Sequence, residues 1–309
     1  MLGELLNLLG MMFLLALFGF VAAKRGLVGG RGKKELANLI LYLILPCNIL
    51  KAFCEDMSAQ LLGTAMQMLL IACGVQLLCM AVSRLFYKRM REGEKQVYQY
   101  ATVCANAGFM GNPLAERVFG STGLVYACVF LIPQRIVMWT AGVALFTRLE
   151  EKDKKAAQKK VLLHPCMIAM YLGLLLFISG CRLPQMISEA VASCGGCCMG
   201  MTMMYIGMVL SDVEWKTVCS VHQIYFALIR LIGLPAVVYA ACLLGRADPL
   251  VTGVSVLLTA TPAGSTTAIL AARYGADEDS AAKCVAFTTL LSVMTIPVWS
   301  MLLLRGITG

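Results

Sequence analysis

Charge is what this sequence lacks most. Asp, Glu, Lys and Arg together make up 14% of its 309 residues, against about 25% in an ordinary soluble domain. Histidine occurs twice and tryptophan three times. In their place stand 60% hydrophobic residues and a mean hydropathy of +0.80. A single water-soluble core stops growing near this length, so no soluble fold could hide that much apolar surface. The shortage of charge therefore excludes a soluble enzyme, a disordered chain and a nucleic-acid-binding domain. It leaves a polytopic membrane protein.

Catalytic signatures are missing as well. Gly29-Gly30-Arg31-Gly32-Lys33-Lys34 is no phosphate loop, because the Gly-Lys-Ser/Thr ending and a strand–helix context are absent. No HExxH, GxSxG or paired intramembrane aspartates occur. A membrane-embedded enzyme has nothing to rest on, and no cofactor is expected. Fourteen cysteines are spread irregularly along the apolar segments. Cys194, Cys197 and Cys198 form a cluster, but His164 and His222 lie elsewhere, so these thiols read as packing groups and not as a metal site.

What the chain does have is apolar length. A helix needs about 20 apolar residues to cross a ~30 Å hydrocarbon core. Ten segments fit that requirement: 4–23, 35–53, 59–84, 98–119, 122–147, 162–180, 185–211, 222–244, 249–273 and 280–304. The first has no basic leader and no small-x-small cleavage site before Lys24, so it reads as a span and not as a signal peptide. The net charge of +9 records topology. Nineteen Lys and Arg fall on one side of the ten segments, mainly between spans 1–2, 3–4 and 5–6. Five fall on the other: Lys51, Arg117, Arg182, Arg246 and Arg305. The positive-inside rule puts the basic loops in the cytoplasm and both termini outside, in the plasma membrane. Two cations, Arg135 and Arg230, remain inside predicted spans.

The most polar stretch, 149–160, is a basic linker between two halves, 1–148 and 161–309, of five spans each. Five is odd, so the second half begins on the opposite side from the first. Two homologous halves would be inverted repeats, a recurring plan of secondary transporters. The expected fold class is an all-α polytopic membrane protein, ten helices in two inverted five-helix repeats.

Both fourth spans carry a polar interruption. Span 4 contains Asn106 followed by Gly111-Asn112-Pro113, and span 9 contains Thr259, Thr261-Pro262-Ala263-Gly264-Ser265 and Thr266. Proline removes a backbone donor and disturbs the preceding turn. Flanking segments of about ten residues rise ~15 Å, half a bilayer core, so each break falls near the midplane. Unpaired backbone survives there only inside protein or beside a wet cavity. Half-helix N-termini present free N–H groups and a positive dipole end, which suits a carboxylate.

Gly108 through Gly120, in span 4, resembles the span-4 motif of the auxin efflux carrier family, which includes bacterial malate and malonate permeases. The stretch Thr261-Pro262-Ala263-Gly264-Ser265 to Ala271-Ala272-Arg273-Tyr274-Gly275 resembles its span-9 motif. Leu45-Pro46 in span 2 and Thr295-Ile296-Pro297-Val298-Trp299 in the last span also fit. The resemblance implies ten spans, broken crossing helices in spans 4 and 9, and a substrate carboxylate near the crossing. It further implies an elevator motion of spans 3–5 and 8–10 against spans 1, 2, 6 and 7, within a homodimer. The chain departs from the family at Gly200, where span 7 usually carries proline, and it lacks the long central loop of the plant carriers.

The expected function is a secondary-active carrier of a small organic anion such as malate or malonate, coupled to H+, to Na+ or to the potential. A non-transporting carboxylate sensor on the same scaffold is the alternative. Asn106 and Asn112 would contact the anion or cap the half-helices. Thr259, Thr261, Ser265 and Thr266 are their span-9 counterparts. Arg135 offers a bidentate fork to a carboxylate, or pairs with a buried acid or snorkels. Arg230 in span 8 is a second candidate for gating, and Glu116 could couple protons, pair with an arginine or face the headgroups.

Overall fold

The computed structural model describes residues 2–54, 61–146, 163, 165–212 and 218–308. The basic linker 149–160, His164 and Trp215 lie outside the described residues. Helices account for the secondary structure, and the described residues contain no strand beyond a single isolated bridge. In chain order the helices are α1 (Leu2–Lys24), α2 (Gly30–Leu39), α3 (Leu45–Cys54), α4 (Leu61–Phe86), α5 (Glu92–Val103), α6 (Asn112–Val137) and α7 (Pro165–Ser179). They continue with α8 (Gln185–Gly196), α9 (Cys198–Leu210), α10 (Val221–Leu228), α11 (Leu234–Leu244), α12 (Pro249–Thr259), α13 (Thr266–Tyr274) and α14 (Glu278–Thr308).

Five stretches among the described residues are long and apolar enough to cross a membrane: Gly63–Phe86, Ala107–Val137, Gln185–Leu210, Val221–Leu244 and Glu278–Leu303. One of them is not continuous. Gly120 has φ 72° and ψ −168°, which bends the chain sharply inside α6. A side chain at that positive φ would be strained, so glycine is required there. The bend falls between the fourth and fifth segments expected from sequence.

Three prolines shape their helices by one rule. Each is preceded by a five-residue π turn: Ile40–Ile44 before Pro46, Ala107–Gly111 before Pro113 and Ile229–Gly233 before Pro235. In every case the residue four places before the proline is the centre of the turn: Tyr42, Phe109 and Leu231. Proline cannot donate to that carbonyl and collides with it, and a widened turn relieves both problems. The next bonds then run five residues back, from Leu45 to Ile40, Asn112 to Ala107 and Leu234 to Ile229. The carbonyl released at Leu231 accepts from the Trp299 indole at 2.9 Å.

Helix contacts sort into two groups. In the first, α1 packs on α9, and α3 packs on α7 and α8. Here backbones touch: a Cβ on Gly207 would stand 1.7 Å from the Ala16 carbonyl oxygen, and one on Gly195 would stand 2.8 Å from the Asn48 Cα. At one end of this group, Lys33 Nζ donates to the Met208 carbonyl (2.8 Å), Ser211 Oγ (3.1 Å) and Asp212 Oδ1 (2.6 Å). A cation there suits the negative end of α9. In the second group, α4, α5, α6, α12, α13 and α14 surround the two interruptions. A distinct core that includes Tyr87, Tyr98, Tyr100, Phe226, Leu270 and Cys284 takes in Cys104 and Ala263 at the crossing.

Candidate functional site

The two interruptions meet. Ala105 and Ala263 form an antiparallel bridge, with the Asn106 N–H donating to the Pro262 carbonyl at 2.8 Å and the Gly264 N–H to the Cys104 carbonyl at 2.9 Å. Glycine suits position 264, because a Cβ there would stand 3.0 Å from the Cys104 oxygen. Each broken segment satisfies part of its partner's backbone, as burial in an apolar medium demands.

Side chains satisfy much of what remains. Gln134 Nε2 donates to the Ala105 carbonyl (2.8 Å), and Gln76 Nε2 donates to the Val103 carbonyl (3.2 Å). Thr288 Oγ1 accepts from the Ala263 N–H at 3.2 Å. Arg230 donates through Nε to the Thr261 carbonyl (3.2 Å) and through Nη1 to the Thr102 carbonyl (3.1 Å). Tyr100 Oη and Thr266 Oγ1 bond across the crossing at 3.3 Å. The reading of the sequence misses Gln134 and Gln76. An amide in an apolar run is the signal that marks them, because a polar group at that depth needs a partner.

Beside the crossing lies a cavity walled by Asn106, Gly108, Gln134, Arg135, Ser265 and Thr266, closed by Leu41, Leu45, Leu131 and Cys166. It therefore gathers four of the expected contact residues: Asn106, Arg135, Ser265 and Thr266. Asn106 and Ser265 sit at the starts of the π turn that leads into α6 and of α13, so two helix N-termini converge here. Arg135 is 8% exposed, and its Nη1 lies 3.6 Å from the Met167 thioether. A thioether is a weak acceptor. Among the described residues no carboxylate pairs with this guanidinium. A second, smaller hollow shares Asn106 and Ser265 and is lined by Phe109, Tyr205, Val209 and Thr289. The Phe109 and Tyr205 rings stack there at 5.7 Å.

The other expected residues stand apart from the cavity. Thr259 Oγ1 donates to the Ser255 carbonyl and Thr261 Oγ1 to the Leu258 carbonyl, each at 2.7 Å. Asn112 is fully buried just after the π turn, and neither polar atom of its side chain has a hydrogen-bond partner among the described residues. Gly111 packs against Leu258 and Thr261. Glu116 accepts from Asn48 Nδ2 (3.0 Å) and Lys51 Nζ (3.3 Å), which ties α6 to α3. Cys194 is half-buried, Cys197 exposed and Cys198 buried. The described residues contain no grouping of His, Cys, Asp or Glu fit to hold a metal.

An apolar helical chain whose two broken helices cross beside a buried cation has the build of a membrane transporter. The chain matches the family model described as Membrane transport protein over residues 6–300, and it belongs to that family. This is the family that the span-4 and span-9 motifs resemble. It is 24% identical over 305 residues to an "Uncharacterized transporter" of Methanothermobacter thermautotrophicus, covering 94% of this chain and 95% of that one. It is also 24% identical over 311 residues to a Rhizobium meliloti protein named "Putative malonate transporter", covering 95% of this chain and 93% of that one. An uncharacterized transporter of Methanocaldococcus jannaschii is 22% identical over 307 residues, covering 94% of this chain and 96% of that one.

Proposed function

We propose that this transporter is a secondary-active carrier of a small organic anion bearing a carboxylate, of the malate or malonate type. Arg135 carries the reading. A buried guanidinium is costly without a partner, and this one faces a cavity with a thioether beside it. A substrate carboxylate supplies the missing acceptor in a bidentate fork. The N-termini at Asn106 and Ser265 add positive potential to the same cavity. The Asn106 amide and the Ser265 and Thr266 hydroxyls donate to the remaining lone pairs, while Gln134 holds the wall in shape. The "Putative malonate transporter" of Rhizobium meliloti is a relative whose name carries the same chemistry.

In this reading the chain crosses the plasma membrane ten times, as two inverted repeats of five helices, with both termini outside. The helices around the crossing move as an elevator against the group of α1, α3, α7, α8 and α9, within a homodimer. The Glu116 link to Asn48 and Lys51 joins the two groups, so it acts as a latch that opens and closes during transport. Asn112, Thr259 and Thr261 shape the breaks and do not touch substrate.

Uptake of labelled malonate, malate and a monocarboxylate into proteoliposomes tests the proposal, beside Arg135→Gln. Saturable uptake of a carboxylate that the variant loses supports it. A folded, correctly inserted protein that moves none of them sinks it and favours a carboxylate sensor on the same scaffold.

A further inference from the structure

The crossing has two electrical poles. The half-helix N-termini at Asn106 and Ser265 make the positive one. The opposite pole is formed where α5 and α12 end, and the final carbonyls of a helix lack donors and carry partial negative charge. In transporters built from broken helices, such carbonyls and C-terminal ends coordinate the coupling cation. Here a side chain reaches that pole. Arg230 is 2% exposed and donates to one carbonyl from each broken helix, Thr102 of α5 and Thr261 just beyond α12. Its neighbours are thiols and a phenol, Cys79, Cys104 and Tyr87. Among the described residues no carboxylate pairs with it.

We propose that the Arg230 guanidinium is the resident cation of the crossing, held on the carbonyl pole in place of a coupling metal ion, so that transport needs no sodium. Rigid backbone carbonyls from the two segments of the crossing are a cation's first ligands, and the guanidinium already occupies them. An arginine side chain cannot release its proton in a protein, so the positive charge at this pole is permanent. Arg230 is a positioning residue: it fixes the breaks, and through them Asn106 and Ser265, without touching substrate. Its consequence for flux rests on the carboxylate-carrier reading above.

The test compares wild type, Arg230→Lys and Arg230→Gln for labelled malonate uptake in sodium chloride and in N-methyl-D-glucamine chloride. Glutamine keeps N–H donors for the carbonyls but removes the charge; lysine keeps the charge. Wild type and Arg230→Lys should transport equally in both salts. Arg230→Gln should fall about tenfold or more in N-methyl-D-glucamine, the scale of losing a charged hydrogen bond, and recover in sodium. Wild-type uptake that collapses without sodium overturns the proposal. So does an Arg230→Gln protein that is indifferent to the cation supplied. If no carboxylate moves in any salt, the carrier reading fails, and thermal unfolding in detergent decides this one. The expected result is a wild-type melting temperature equal in the two salts, with Arg230→Gln raised by sodium or by low guanidinium. A sodium-specific rise in wild type refutes it. Where Arg230→Gln fails to fold, the salt response of wild type and Arg230→Lys decides the matter.

Discussion

Arg135 and Arg230 are both buried guanidiniums inside apolar helices, and they are held in opposite ways. Arg230 is anchored by two backbone carbonyls at 3.1 and 3.2 Å. Arg135 lies against a cavity and touches a thioether. Depth alone does not separate them, since both are at least nine-tenths buried. The acceptors do. A cation whose donors find fixed backbone is part of the frame, and one whose donors face a cavity is the group on which the proposed carboxylate site rests.

That contrast can be broken at four places. Arg230→Met should have the largest effect on the folded state. It leaves two carbonyls without donors, at about 1–3 kcal/mol each, and thermal unfolding in detergent should register the loss. A variant as stable as wild type would erase the distinction between the two arginines. Arg135→Gln should leave the melting temperature nearly unchanged and lower malonate uptake about tenfold to a hundredfold, the worth of charge-assisted bonds to an anion. A large fall in stability with this change would make Arg135 structural after all. Gln134→Leu comes next. It strips the donor from the Ala105 carbonyl beside the cavity, and about 1–2 kcal/mol of stability should go with it. Asn112→Ala should change least. Its amide has no partner to lose among the described residues, so the cavity left behind and the relief of two unsatisfied atoms roughly offset each other. A drop of several degrees in melting temperature would reveal a partner for Asn112.

Much of the frame is legible from residue order. Apolar runs locate the helices, and the paired Gly/Pro-bearing stretches locate both breaks. Asn106, Arg135, Ser265 and Thr266 are marked by a simple cost: polar groups inside apolar segments need a reason to be there. Thr259 and Thr261 answer to the same cost but turn their hydroxyls to carbonyls of their own segment, an outlet that composition cannot distinguish from ligand contact. Gln76 and Gln134 are harder to see, because an amide is less conspicuous than a charge. In span 7 the sequence draws the eye to Gly200, where the family resemblance calls for proline. Gly200 lies early in α9, just past the interruption at Cys197 between α8 and α9, while it is Gly195 that lies against the backbone at Asn48. Close approach needs a missing Cβ, and a sequence with 28 glycines does not say which of them provides it. The tie from Glu116 to Asn48 and Lys51 joins residues 68 and 65 positions apart, beyond the reach of any local pattern.

The π turns before Pro46, Pro113 and Pro235 also act as phase shifters. A helix advances about 100° per residue, so a turn that takes in one extra residue rotates everything after it by that angle. In α6 this phase sets which face Glu116 presents to α3. In α11 it sets the face that packs on α12, directly before the span-9 break. Replacing the proline with alanine removes the reason for the wide turn, and the helix can close back to ordinary α geometry. Its downstream half would then screw round by about a third of a revolution. A transporter of this build therefore stores the azimuth of its half-helices in three proline rings. A mutation there would misdirect side chains many residues away while leaving every one of them in a helix.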